Sequence, residues 1–220
     1  MALDKLHRFA PVAALLLAAA VVLAQDDAPR GPATIRITGE GVVAQFTFDK
    51  GVRLSVTSKP VSVKPGEYRA KKLSLVRTDD KKRTWELRCT RLSEFESITI
   101  DPGQEKVLML GKALTLLVEA GPNKDAPGGL SVRAGIAGQG GDCYTPGAYL
   151  DGKTMTLPLV TVKDADGKTV GSGRLAPHAD GTTRFDVRFP AGYKGTYDVD
   201  VEPVLGPFEV KVSKTLRPLT

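Results

Sequence analysis

Past residue 33 the apolar residues fall in short runs with a period of two, each closed by Gly, Pro, Asp or Asn, and no segment sustains a helical period. Side chains that alternate across a strand bury one face only, so such a chain must be built from short, half-buried strands packed in layers. "ATIRITG" puts Ile35 and Ile37 on one face, and "GVRLSVTS" does the same with Val52, Leu54 and Val56. Pro65 and Gly66 turn the chain into a strand through Leu73 and Leu75, and "TDDKK" turns it back. In "TWELRCTRL", Trp85, Leu87 and Cys89 share the face opposite Glu86, Arg88 and Thr90, which places Trp85 in a core. "SITID", "KVLMLG" and "LTLLVEAG" complete about seven strands.

The stretch "GPNKDAPGG" (121–129) breaks this pattern with turn formers and marks a boundary. A second block of six or seven strands follows, in which Asp166 and Gly167 between two alternating runs signal a hairpin. A chain of 220 residues is long enough for two domains of about 100 residues, each with its own core. The expectation is an all-β protein: a first sandwich at 33–121, a linker at 122–128, a second sandwich at 129–214 and a tail at 215–220.

Residues 160–201, "VTVKDADGKTVGSGRLAPHADGTTRFDVRFPAGYKGTYDVDV", combine a valine strand, an Asp-x-x-Gly turn, a small-residue strand, a second "DG" turn, a phenylalanine strand and a closing tyrosine strand. This run resembles the transthyretin-like modules of carboxypeptidase regulatory-like and Cna-B-type repeats, with the closing element stretched to "PAGYKGTYDV". "KPGEYRAKKLSL" (64–75) echoes the same turn in the first block. The resemblance implies two tandem Ig-like or transthyretin-like sandwiches serving as stalk, spacer or adhesion modules, without an active site of their own.

Lys5 and Arg8 precede the apolar run "FAPVAALLLAAAVVLA" (9–24), and Val22 and Ala24 supply small residues before "QDDAP". This reads as a secretory signal peptide over 1–24, with a polar, disordered lead at 25–32; the competing reading is an uncleaved anchor, for which the run is short. Removal of 1–24 takes Lys5 and Arg8 from 31 basic residues and Asp4 from 25 acidic ones, leaving 29 against 24. Residues 68–91 hold nine Lys or Arg and three acids. Lys71, Lys72, Lys81, Lys82 and Arg83 are the candidate binding residues for an anionic surface, with a solvated strand face as the alternative. No aromatic is interleaved among the basic residues from Arg69 to Arg83 for base stacking, and export argues further against nucleic acid.

"GQGGDCYTPGAY" (138–149) concentrates glycines around a cysteine, but no helix follows Gly141 and no lysine comes before Lys153, so the stretch reads as turn chemistry and not as a phosphate cradle. A catalytic Cys143 would need a base, and past residue 24 the one histidine is His178; this pair is the enzymatic alternative, for thiol or acyl-transfer chemistry. An exported chain meets oxidising conditions, so Cys89 and Cys143 are a disulfide candidate, set against a core-facing Cys89 in one block and a loop Cys143 in the other. Zinc lacks a set of four ligands. Asp164 and Asp166 of "DADG", joined by Asp142, Asp151 and Asp180 if their loops meet, are a calcium alternative, although a hairpin turn accounts for them without metal. No cofactor fingerprint is discernible. The expected function is an exported structural or binding module of the bacterial envelope, secreted or periplasmic, facing an envelope polysaccharide or protein partner; a soluble carrier of apolar ligands is a further alternative.

Overall fold

The structure, a computed structural model, describes residues 32–154, 157–177, 183–190, 193 and 195–219. The expected signal peptide, the lead up to residue 31, His178 and Asp180 lie outside the described residues. Among the described residues the regular elements are all strands except for two single 3-10 turns, Asp49–Gly51 and Ser93–Phe95.

The first half supplies β1 (Ala33–Ile37), β2 (Val43–Phe48), β3 (Arg53–Val56), β4 (Val61–Val63), β5 (Gly66–Thr78), β6 (Thr84–Arg91), β7 (Ser97–Ile100) and β8 (Glu105–Leu108). The second half supplies β9 (Leu114–Pro122), β10 (Gly129–Ala137), β11 (Cys143–Tyr144), β12 (Tyr149–Leu150), β13 (Lys153–Thr154), β14 (Leu159–Asp164), β15 (Thr169–Arg174), β16 (Ala176–Pro177), β17 (Thr183–Arg188), β18 (Tyr197–Glu202) and β19 (Val210–Leu216). One small sheet has the order β4-β1-β8, with β1 and β8 parallel, and another the order β15-β14-β18. The large sheet runs β16-β17-β10-β11-β6-β5-β2-β3, with β9 on β10, β19 parallel to β9, β7 on β5, and β12 on β6.

Alternation explains which faces are buried. Ile35, Ile37, Leu73, Leu75, Leu87, Ile98 and Ile100 are all buried, and Trp85 is 6% exposed, as its strand position predicts. Val52 is not: it is 53% exposed, because the Asp49–Gly51 turn delays β3 until Arg53. Gly206 makes room for the Trp85 ring; its φ is +57°, and a Cβ there would stand 2.2 Å from the indole.

The expected linker at 122–128 is instead the turn of the β9–β10 hairpin. Pro122 still pairs with Leu130, and the Asn123 N–H donates to the Gly129 carbonyl at 2.9 Å. β9, expected to finish the first block, is bonded on both edges within the second, to β10 and β19, and buries Leu114, Leu116, Val118 and Ala120 there. Gly, Pro and Asn clusters serve a hairpin as well as a linker, and only the pairing partner tells them apart. Residues 109–113 connect β8 to β9. The expected tail also changes: Thr215 and Leu216 belong to β19, and the Arg217 N–H donates to the Ala120 carbonyl.

The two halves share one sheet. β11 pairs with β10 on one edge and with β6 on the other, so "GQGGDCYTPGAY" contains a bridging strand as well as turns. The following residues track β6: the Thr145 N–H donates to the Arg88 carbonyl, the Thr84 N–H to the Asp151 carboxylate, and Arg88 stacks 3.6 Å from the Tyr149 ring centre.

Candidate functional site

The basic β5–β6 hairpin places its candidate residues at two ends. At the tip, one Asp79 carboxylate oxygen accepts the Lys81 and Arg83 backbone N–H groups at 2.9 and 3.0 Å, and the other accepts Arg83 Nε at 2.7 Å and Trp85 Nε1 at 2.9 Å. Burial alone would push this carboxyl up; the hydrogen bonds from Trp85 and Arg83 outweigh it and hold it well below the usual carboxylate range. The guanidinium of Arg83 also lies 5.5 Å from the Trp85 ring centre. Arg83, read from sequence as a binding residue, is thus committed to the turn, while Lys81 and Lys82 stay exposed.

At the base, roughly 23 Å away at 3.3 Å per residue between Lys72 and Asp79, the strands fork. β5 and β6 pair only as far as Ser74 opposite Arg88, and β5 then takes β7 as its partner through Gly66–Arg69. Two bulges widen the fork. Thr47 pairs with Lys72 but Phe48 with Ala70, which leaves Lys71 as the extra residue and explains why two consecutive lysines both face solvent. On β6, Cys143 pairs with Arg91 but Tyr144 with Cys89, which leaves Thr90 extra. The resulting cleft of about 420 Å³ is lined by Lys71, Lys72, Cys89, Arg91, Ser93 and Glu96, with Thr90 and Leu92 between them. Lys71 pairs with Asp49 at 3.3 Å, an exposed contact, and Lys72 makes no ion pair among the described residues.

Sequence reasoning missed Arg91, Ser93 and Glu96 as partners of Lys71 and Lys72. The available signal was the Lys-Lys doublet itself, which no regular strand with one buried face accommodates, together with the loss of alternation after Cys89.

Beside the cleft, the β6–β11 pairing puts the two cysteines on adjacent strands. Cys143, expected in a remote loop, lies on β11 beside the strand that carries Cys89, and both thiols are free in this structure. Cys89 Sγ donates to the Arg91 carbonyl at 3.0 Å, and burial pushes its thiol up to about 11. Arg91 Nη2 donates to Cys143 Sγ at 3.2 Å, so a cation sits against the second sulfur. Ser93 Oγ closes the loop by donating to the Gly141 carbonyl at 2.8 Å. Gly140 is required there: a Cβ would stand 2.3 Å from the Phe95 ring.

Beneath this loop both Asp142 oxygens and the Tyr144 hydroxyl are buried side by side without a well-formed hydrogen bond, and burial followed by the Asp142 charge pushes the phenol far up. The other aspartates are spread out. One Asp164 oxygen accepts the Asp166 and Lys168 N–H groups at 3.1 and 2.9 Å, closing the β14–β15 hairpin, and Asp151 caps β6. Among the described residues no group of three or more His, Cys, Asp or Glu side chains is placed to hold a metal ion, and no helix is long and apolar enough to cross a membrane.

Comparison with protein-family models, curated proteins and solved structures gives no match for this chain. Its function is therefore argued from the cleft's own side chains.

Proposed function

We propose that the protein is an exported binding module of the bacterial envelope, two tandem sandwiches of Ig-like or transthyretin-like type, that captures an acidic envelope polymer at the forked base of the β5–β6 hairpin. The observation that carries this reading is the cleft itself: Lys71, Lys72 and Arg91 surround an opening against one carboxylate, Glu96. Summed positive charge around a concavity draws anions and is weakened by salt. In the second half there are two separate layers, β9–β10–β17 and the β15-β14-β18 sheet, and a two-sheet arrangement is what a sandwich module calls for, which supports the module class. The same setting supports a disulfide between Cys89 and Cys143 in an oxidising compartment, since adjacent strands carry them.

The test is retention of the purified protein on an immobilised polyuronate column as ionic strength rises. Elution at moderate salt is expected, with Lys71→Glu/Lys72→Glu abolishing retention and Lys81→Glu/Lys82→Glu changing it little. No retention at low salt, or equal loss in both variants, rejects the reading. A thiol enzyme would instead lose a measurable turnover on Cys143→Ser while retention stayed intact.

A further inference from the structure

A second concavity lies on the other half, on the outward face of β9, β10 and β17. Register places Ser131 between Gly121 and Asp186, and Arg133 between Glu119 and Arg184, so these side chains share one face. The Asn123–Asp125 turn and the Arg217–Pro218 segment wall the face into a groove of about 670 Å³, within the range of small-ligand sites. Arg217 can stand this close because it packs on Gly121, where a Cβ would be 3.3 Å from its own Cβ.

The groove is charged but incompletely paired. Arg184 is 11% exposed and is held by Asp125 at 3.1 Å; its Nε lies 3.1 Å from Asp186 but is not aligned for a hydrogen bond. Arg133 and Arg217 make no ion pair among the described residues. On the floor, Ser131 Oγ is buried with no hydrogen-bond partner among the described residues, an arrangement that native structures seldom leave without a reason.

We propose that this groove binds a carboxylate-bearing sugar residue of the uronate class. Arg133 and Arg217 present planar donor pairs that match a carboxylate. Ser131 and Asn123 offer neutral hydrogen bonds at the floor, and Glu119 is an acceptor for sugar hydroxyls. Sulfate has no hydroxyl donor and phosphate at neutral pH only one or two, set on the charged group itself, so Glu119 and Asp125 repel both ions, whereas a hydroxylated ring carries its donors away from the carboxylate and satisfies anion and acceptor sites together. The inference rests on the polyuronate reading above only for the source of the sugar, because the groove and the forked cleft are built from different strands.

The experiment is calorimetric titration of the purified protein with trigalacturonate, with neutral trigalactose and inorganic phosphate as controls. Trigalacturonate is expected to bind, trigalactose and phosphate to bind at least about tenfold more weakly, and Arg133→Gln/Arg217→Gln to lose at least about tenfold. Both arginines are at the surface; Ser131→Asn, which fills the floor from β10, is the second variant and is expected to weaken binding similarly. Lys71→Glu/Lys72→Glu is expected to keep it. Trisaccharide binding that survives the arginine and Ser131 changes but vanishes with the lysine pair overturns the groove and leaves the cleft standing. Trisaccharide binding intact in the lysine variant, with polymer retention unaffected by it, overturns the cleft and leaves the groove. Phosphate binding as tight as trigalacturonate overturns the sugar assignment.

Discussion

At the tip of the β5–β6 hairpin, Arg83, Trp85 and two backbone N–H groups converge on Asp79, whereas at its base Lys72 and Arg91 line an open cleft, Arg91 held only by the neutral Cys143 sulfur. The same residue types, crowded into one stretch of sequence, close a turn at one end and line a cleft at the other. A cation whose counter-charge is built into its own turn is structural, and one left facing a concavity is available to a ligand. Charge density along the chain does not separate the two; partner satisfaction does.

The largest effect that would break this contrast is at Trp85. Trp85→Ala removes a buried ring packed on Gly206 and is expected to cost about 3–5 kcal/mol in urea unfolding while the folded fraction still binds polyuronate; loss of binding in that folded fraction would make the tip functional. Next comes Asp79→Ala, which leaves the buried indole N–H without its acceptor and lowers the melting temperature. The wild-type carboxyl titrates lower folded than unfolded, so its contribution is complete above the unfolded value of 3.8 and is lost as pH falls below it. Urea unfolding from neutral pH to about pH 3 should therefore show an acid loss in the wild type that Asp79→Ala lacks in part.

A smaller effect is expected at the base: Lys72→Glu should change unfolding free energy by no more than about 0.5 kcal/mol yet move elution from polyuronate to lower salt. The smallest concerns Lys82, which sits in the tip turn at a φ of +61°. Lys82→Gly is expected to alter stability by less than about 1 kcal/mol and leave retention unchanged. The cleft can be probed independently through its sulfurs. Because burial holds Cys89 near 11, alkylation at about pH 8 should modify Cys143 first and Cys89 far more slowly, read by peptide mass; the reverse order would mean that Cys89 is not buried in solution as it is here.

Period-two patterning made the strands and much of the core legible: Trp85, Leu87 and Cys89 lie on the face their alternation assigns, and the Asp164–Gly167 turn forms as its residues dictate. The boundary was not legible, because "PNKDAPG" carries turn chemistry that a linker and a hairpin share, and β9 is assigned by its distant partner β19. The cleft was half legible. Lys71 and Lys72 were visible as a doublet, but the strand fork that joins them to Arg91 and Cys89 depends on which neighbour each edge finds, and two residues as short as Cys143–Tyr144 leave no periodic trace.

That short strand has a mechanical consequence. Bonded along both edges, β11 joins the β6 side of the molecule to the β10 side through backbone hydrogen bonds. Tension applied to a polymer held in the fork would reach the β10 side across the backbone hydrogen bonds of this two-residue, bulged strand, which makes it a point where load passes from one half to the other.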